Sequence, residues 1–144
     1  MHAVGFVIIP ELTWAAVDAA LLPFDQNNYD ELSHPVSGKW DWWRICGRFD
    51  GYLVSEKEMQ RRQTHNGFNS DSSNEQLERN YCVAKDIPAH RQNAYFFVVG
   101  DQWVDRDDSG QTPDSGQSRD FDEQLRNALA GHPDWFVVVI DAHM

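Results

Sequence analysis

Cysteine is scarce in this chain: two residues, Cys46 and Cys82, in 144. They form no C-x-x-C pair and no zinc-ligand spacing, which excludes a disulfide scaffold and a zinc-finger module. Long apolar runs are missing too. No stretch approaches the roughly 20 residues of a membrane span. The opening MHAVGFVIIPELTW has no basic leading segment and no small-residue cleavage site, so it does not read as a signal peptide. The expectation is a cytoplasmic protein with reduced thiols and no membrane partner. Positive charge is also short, with 12 Lys and Arg against 23 Asp and Glu, a net charge of -11. Such a surface repels phosphate backbones, so direct nucleic-acid binding is not expected. Catalytic signatures are lacking. There is no Gly-rich phosphate loop, no G-x-S-x-G elbow and no H-E-x-x-H, and no Ser-His-Asp or Cys-His spacing. The segment DRDDSGQTPDSG lacks the ligand spacing of a calcium loop. No cofactor and no metal is implied, and the balance leans away from an enzyme.

What is present is an ordinary globular composition, 41% hydrophobic and 24% charged. A chain of this length reads as a single domain, residues 1–144. Val4 to Ile9 is a β-branched apolar run that reads as a buried strand stopping at Pro10. Thr13 to Leu22 reads as a helix capped by Thr13, with Trp14, Val17 and Leu21 on one face. Residues 23–38 are loop-like. Residues 40–53 alternate with period two, as a strand does, and Gly47 and Gly51 mark a bulge or turn. Residues 55–93 read as a polar insertion with a short strand at Tyr81 to Ala84. Residues 94–104 read as a strand that bends at Gly100 into a hairpin. An acidic loop follows at about 105–120. Phe121 to Ala130 is a predicted helix, with Asp120 and Glu123 as a capping box. Trp135 to Ile140, WFVVVI, is a continuous apolar strand buried on both sides.

The order β-α-β, insertion, β-α-β predicts an α+β (α/β two-layer) sandwich of ferredoxin-like type. It would have four antiparallel strands and both helices on one face. On the strand at 40–52, alternation sends Trp43, Ile45, Phe49 and Leu53 one way. It sends Trp40, Trp42, Arg44, Cys46, Arg48 and Tyr52 the other way, toward an open face. Indoles supply flat apolar area and guanidinium supplies bidentate anion binding. Trp40, Trp42, Arg44, Arg48 and Tyr52 are therefore the candidate binding residues. They suit either a protein hot spot or a nucleotide base and phosphate. The ordinary reading of the same pattern is a core strand whose arginines pair with Asp41 or Asp50. Asp105, Asp107 and Asp108 of the acidic loop are the candidate phosphate mimics. Asp141 and His143, at i and i+2, share one sheet face and form an alternative pocket for acid-base work. Against that stands a histidine merely hydrogen-bonded to its neighbours.

Four segments give a resemblance: PFDQN at 23–27, HPVSGKWDWWRICGRFDGYL at 34–53, AYFFVVGDQWVDR at 94–106 and FVVVIDAHM at 136–144. In order and spacing the chain resembles an uncharacterised family of small bacterial and phage proteins. That family carries a K-W-D-W-Y-x-I-G-G-R-W segment and a C-terminal V-x-D-x-H end. It tends to have Gly and Trp where this chain has Cys46 and Phe49. The resemblance implies a phage or mobile-element protein and carries over no catalytic residue. With the charge and size, it leads to the expectation of a non-catalytic protein that binds a host protein, such as a counter-defence (anti-CRISPR-type) inhibitor. The alternatives are a nucleotide-binding protein or small enzyme using Arg44, Arg48, Asp141 and His143, and a homodimer formed through the aromatic strand.

Overall fold

The computed structural model describes residues 2–25, 39–49, 51–54, 58, 61, 77, 79–106 and 117–144. Its centre is a six-stranded mixed sheet. Two eight-residue strands form the spine: β1 (His2–Ile9) and β6 (Phe136–His143), antiparallel in register from His2↔His143 to Ile9↔Phe136. β1 also pairs in parallel with β4 (Phe96–Val99), which turns back into β5 (Gln102–Asp105). That hairpin turns at Gly100, whose φ of 60° suits a residue without a side chain. The other edge of β6 serves two short strands end to end. β2 (Trp42–Ile45) takes residues 140–143, and β3 (Tyr81–Val83) takes residues 136–138. The handover falls at Val139, whose carbonyl accepts the Cys46 N–H at 2.9 Å and whose N–H donates to the Asn80 carbonyl at 3.1 Å. Asn80 is fully buried, and its side chain accepts the Gly51 N–H at 2.8 Å. One amide thus ties the turn after β2 to the start of β3.

The mixed α+β class is borne out, as is the short strand near Tyr81. The strand order does not confirm the ferredoxin-like arrangement. The sheet has six strands rather than four, and its β1–β4 pair is parallel. The helices also differ from expectation. α1 (Trp14–Leu21) is capped by Thr13, whose hydroxyl accepts the Ala16 N–H at 3.0 Å. It buries Val17 and Leu21 on the face that carries Trp43 and Phe96. α2 (Gln117–Gly131) packs Phe121 against Phe97, which alternation places on the opposite face. So the helices cover the two faces separately. The reason is in the central strands: Val137 to Ala142 are all buried, which needs cover on both sides. α2 also begins at Gln117, which puts Asp120 inside its first turn and not at an N-cap.

Aromatic rings stack beside β4 and β5. Trp103 stacks on Phe96 with centroids 4.1 Å apart, and Phe24 closes over it. Gly5 of β1 lies beneath the Phe96 ring of this stack. A Cβ there would come within 2.0 Å of the Phe96 ring, so no larger residue fits. On the other face Arg106 lies over Phe121 at 4.3 Å and bonds both Asp122 and the Ala94 carbonyl, fastening α2 to the sheet. Among the described residues no helix is long and apolar enough to cross a membrane.

Candidate functional site

The chain enters β2 through Trp40. Its N–H reaches the Phe24 carbonyl, and its indole N–H donates to the Leu21 carbonyl at 3.0 Å. Trp40 is therefore buried against the end of α1 and does not stand on the open face as expected. Alternation then holds for only four residues. Trp42 and Arg44 are exposed on the face of Asp141 and His143, their partners across the β2–β6 pair, while Trp43 faces α1. After Ile45 the strand stops. Cys46 (φ 58°) and Gly47 (φ 49°) are successive left-handed residues, followed by a 3₁₀ turn at Gly47–Phe49. Cys46, expected on the open face, is buried.

This turn aims a backbone donor at a buried acid. Arg48 N–H donates to Asp141 Oδ2 at 3.1 Å, and the Asp141 side chain is almost wholly buried. A Cβ on Gly47 would lie 2.5 Å from the same carboxyl, so space and φ both require glycine there. The second carboxylate oxygen meets His2 Nδ1 at 2.8 Å. Burying a carboxylate is costly unless its oxygens are satisfied, and here each has a partner.

The second histidine is held in the same way. His143 Nδ1 lies 2.7 Å from Asp41 Oδ1, and the Asp41 N–H donates to the His143 carbonyl. Trp42 stacks on the His143 ring at 5.6 Å and 5°, and His2 meets both rings edge-on. Arg44 completes the group, its guanidinium carbon 5.6 Å from the Trp42 centroid. A carboxylate at Nδ1 fixes ring orientation and turns Nε2 away from it. Such paired imidazoles can move protons or, when charged, hold an anion. Among the described residues no group of three or more His, Cys, Asp or Glu side chains is placed to hold a metal ion.

Beside this cluster a groove of about 360 Å³ runs along the outer edge of β2. Trp14 and Asp18 of α1 form one wall, and Trp40 to Ile45 form the floor and the other. Trp14 is 41% exposed and stacks on Trp43 at 5.8 Å; Trp42 is 37% exposed. No described strand pairs with this edge.

The sequence-predicted residues therefore separate. Trp42, Arg44, Asp141 and His143 converge, and Arg48 joins them through its backbone. Tyr52 sits apart over Phe6, its hydroxyl donating to the Asn93 carbonyl. Burial pushes its phenol above the usual range, against the opposing charges of Arg91 and Arg106. Asp105 is not part of an open acidic surface. It accepts the Trp103 indole N–H at 2.9 Å and lies 3.9 Å from Lys39. Asp107 and Asp108, with most of the acidic loop, lie outside the described residues, as does most of the stretch from 55 to 78. Sequence reasoning missed His2, Asp41, Trp14 and Asp18 as members of the site. Trp14, expected on the apolar face with Val17 and Leu21, is 41% exposed while they are buried. No family model, no curated protein and no solved structure matches the chain.

Proposed function

We propose that this chain is a non-catalytic binding protein that docks on a host protein through the outer edge of β2. The observation that carries the reading is the pair of exposed indoles, Trp14 and Trp42, flanking a groove on an edge to which no described strand is added. Solvent-exposed tryptophans set on a rigid sheet and helix are the residues that anchor protein interfaces. An unpaired strand edge also offers main-chain donors and acceptors to an incoming segment. The net charge of -11 disfavours nucleic acid as the partner. The resemblance to small phage proteins directs the reading toward a counter-defence inhibitor that occupies a host protein's surface.

The test is affinity capture from bacterial lysate with tagged protein, followed by titration of the purified partner. A partner retained in stoichiometric amount, and lost by Trp42→Ala at unchanged fold, supports the reading. Equal affinity for folded Trp42→Ala, Trp14→Ala and Arg48→Ala variants would overturn it.

A second reading is favoured by one observation: Arg44, Asp141, His143 and His2 share one patch beside the Trp42 ring. An aromatic plane with guanidinium and imidazole suits a small anionic ligand such as a nucleotide, with His2 and His143 in acid-base roles. Thermal shifts with a nucleotide panel, lost in Arg44→Gln, are its expected signature. A panel that produces no shift removes it.

A further inference from the structure

We propose that the tryptophan groove on β2 receives a cationic side chain, arginine or lysine, from an extended basic segment of the partner. The inference rests on the docking reading above and specifies the chemistry of what docks.

The lining is aromatic and acidic. Indole faces attract guanidinium and ammonium groups, more so when the cation is partly desolvated. Four of the eight lining residues are tryptophan. One of these indoles already takes a cation from within the chain, since Arg44 sits over Trp42 at 5.6 Å. Trp14 lies against Trp43 on one side while remaining 41% exposed, which leaves indole surface for a visitor.

Charge points the same way. Asp18 and Asp41 line the groove, with Arg44 as the only basic lining residue among those described. Asp41 is committed to His143. Asp18 follows Trp14 by four positions, so one turn of α1 places its carboxylate beside the indole. It meets no ion-pair partner among the described residues. Beyond the groove, a chain of net charge -11 draws basic surfaces toward itself at long range.

The backbone supplies the extended geometry. Cys46 N–H points inward to Val139, and in an antiparallel ladder alternate residues point the same way. The main-chain groups of Trp43 and Ile45 therefore face the groove. An extended segment lying there meets this backbone with one row of its own amides and presents alternate side chains to the tryptophans.

The experiment uses four blocked peptides of one design, alternating valine with arginine, lysine, glutamine or glutamate. Each is titrated into the full chain by calorimetry and tryptophan fluorescence at low and raised salt. The arginine and lysine peptides are expected to bind and the glutamine and glutamate peptides are not. Asp18→Asn should weaken the arginine peptide about fivefold, and Trp14→Ala by tenfold or more. Arg44→Gln should strengthen it, because it removes the resident cation. Binding that survives unchanged in the folded Trp14→Ala/Asp18→Asn double variant would be diffuse charge attraction, and would overturn the proposal. So would a preference for the glutamate peptide, or an arginine peptide no better than glutamine. The two readings separate cleanly. A captured protein lost by Trp42→Ala but not displaced by the arginine peptide keeps the docking reading and ends this one. Specific peptide binding without any Trp42-dependent protein partner does the reverse.

Discussion

The two flanks of the sheet use tryptophan in opposite ways. At the β4–β5 flank, Trp103 is 8% exposed, stacked on Phe96 and closed over by Phe24, with its indole N–H bonded to Asp105. At the β2 flank, Trp42 is 37% exposed, stacked on an imidazole and shared with a guanidinium. Both rings stand on short strands of four residues. What differs is the neighbour: a phenyl ring excludes water, whereas histidine and arginine keep their polar ends in it. The first flank spends its aromatic area on stability. The second leaves part of its aromatic area in water.

That contrast should appear first in the energetics. Trp103→Ala is expected to destabilise the fold by about 3–5 kcal/mol, as large-to-small changes in packed cores do, read from denaturant unfolding. Next comes the joint between the flanks. Asp141→Ala strands the Arg48 N–H and releases His2, and should cost about 1–3 kcal/mol. Its two-dimensional NMR spectrum should show changes concentrated at residues 46–49 and at His2. Trp42→Ala should cost only about 1 kcal/mol, the scale of one exposed aromatic contact, while abolishing partner capture. A loss of stability equal to that of Trp103→Ala would break the comparison, because it would make Trp42 a core residue. The smallest effect concerns Tyr52. Its phenol is held above the ordinary value by burial, so the folded chain keeps that proton more tightly than the unfolded chain does. The associated stability is complete below about pH 10 and is lost as pH rises from there through the folded value. Unfolding curves of wild type and Tyr52→Phe at pH 8 and pH 11 should therefore converge at the higher pH.

Local signals were legible where local rules decide. Thr13 caps α1, Gly100 turns the hairpin, and the glycines after Ile45 end β2. The period-two rule placed Asp141 and His143 on one face, and Trp42 with Arg44. It failed at Trp40 and Cys46, because the strand is only four residues long and its ends obey other partners: α1 before it and a left-handed turn after it. The run WFVVVI already implied cover on both faces, which conflicts with two helices on one side. The partners of the two carboxylates were not legible. His2 meets Asp141 only because β1 and β6 pair along their whole length, and no local pattern encodes that register.

That full-length pairing also sets the order in which the molecule can be made. His2 and Asp141 are 139 positions apart, and β1 lies in the middle of the sheet rather than at its margin. β2 and β3 pair with β6, so both must wait for a strand that is made after every other described strand. Until residue 143 is delivered, β1 has an open side toward the place β6 will take, and its apolar residues have β4 as their strand neighbour. Contacts this distant in sequence slow folding, because the closure entropy precedes the reward. During synthesis β1 is a central strand kept waiting for one of its two neighbours.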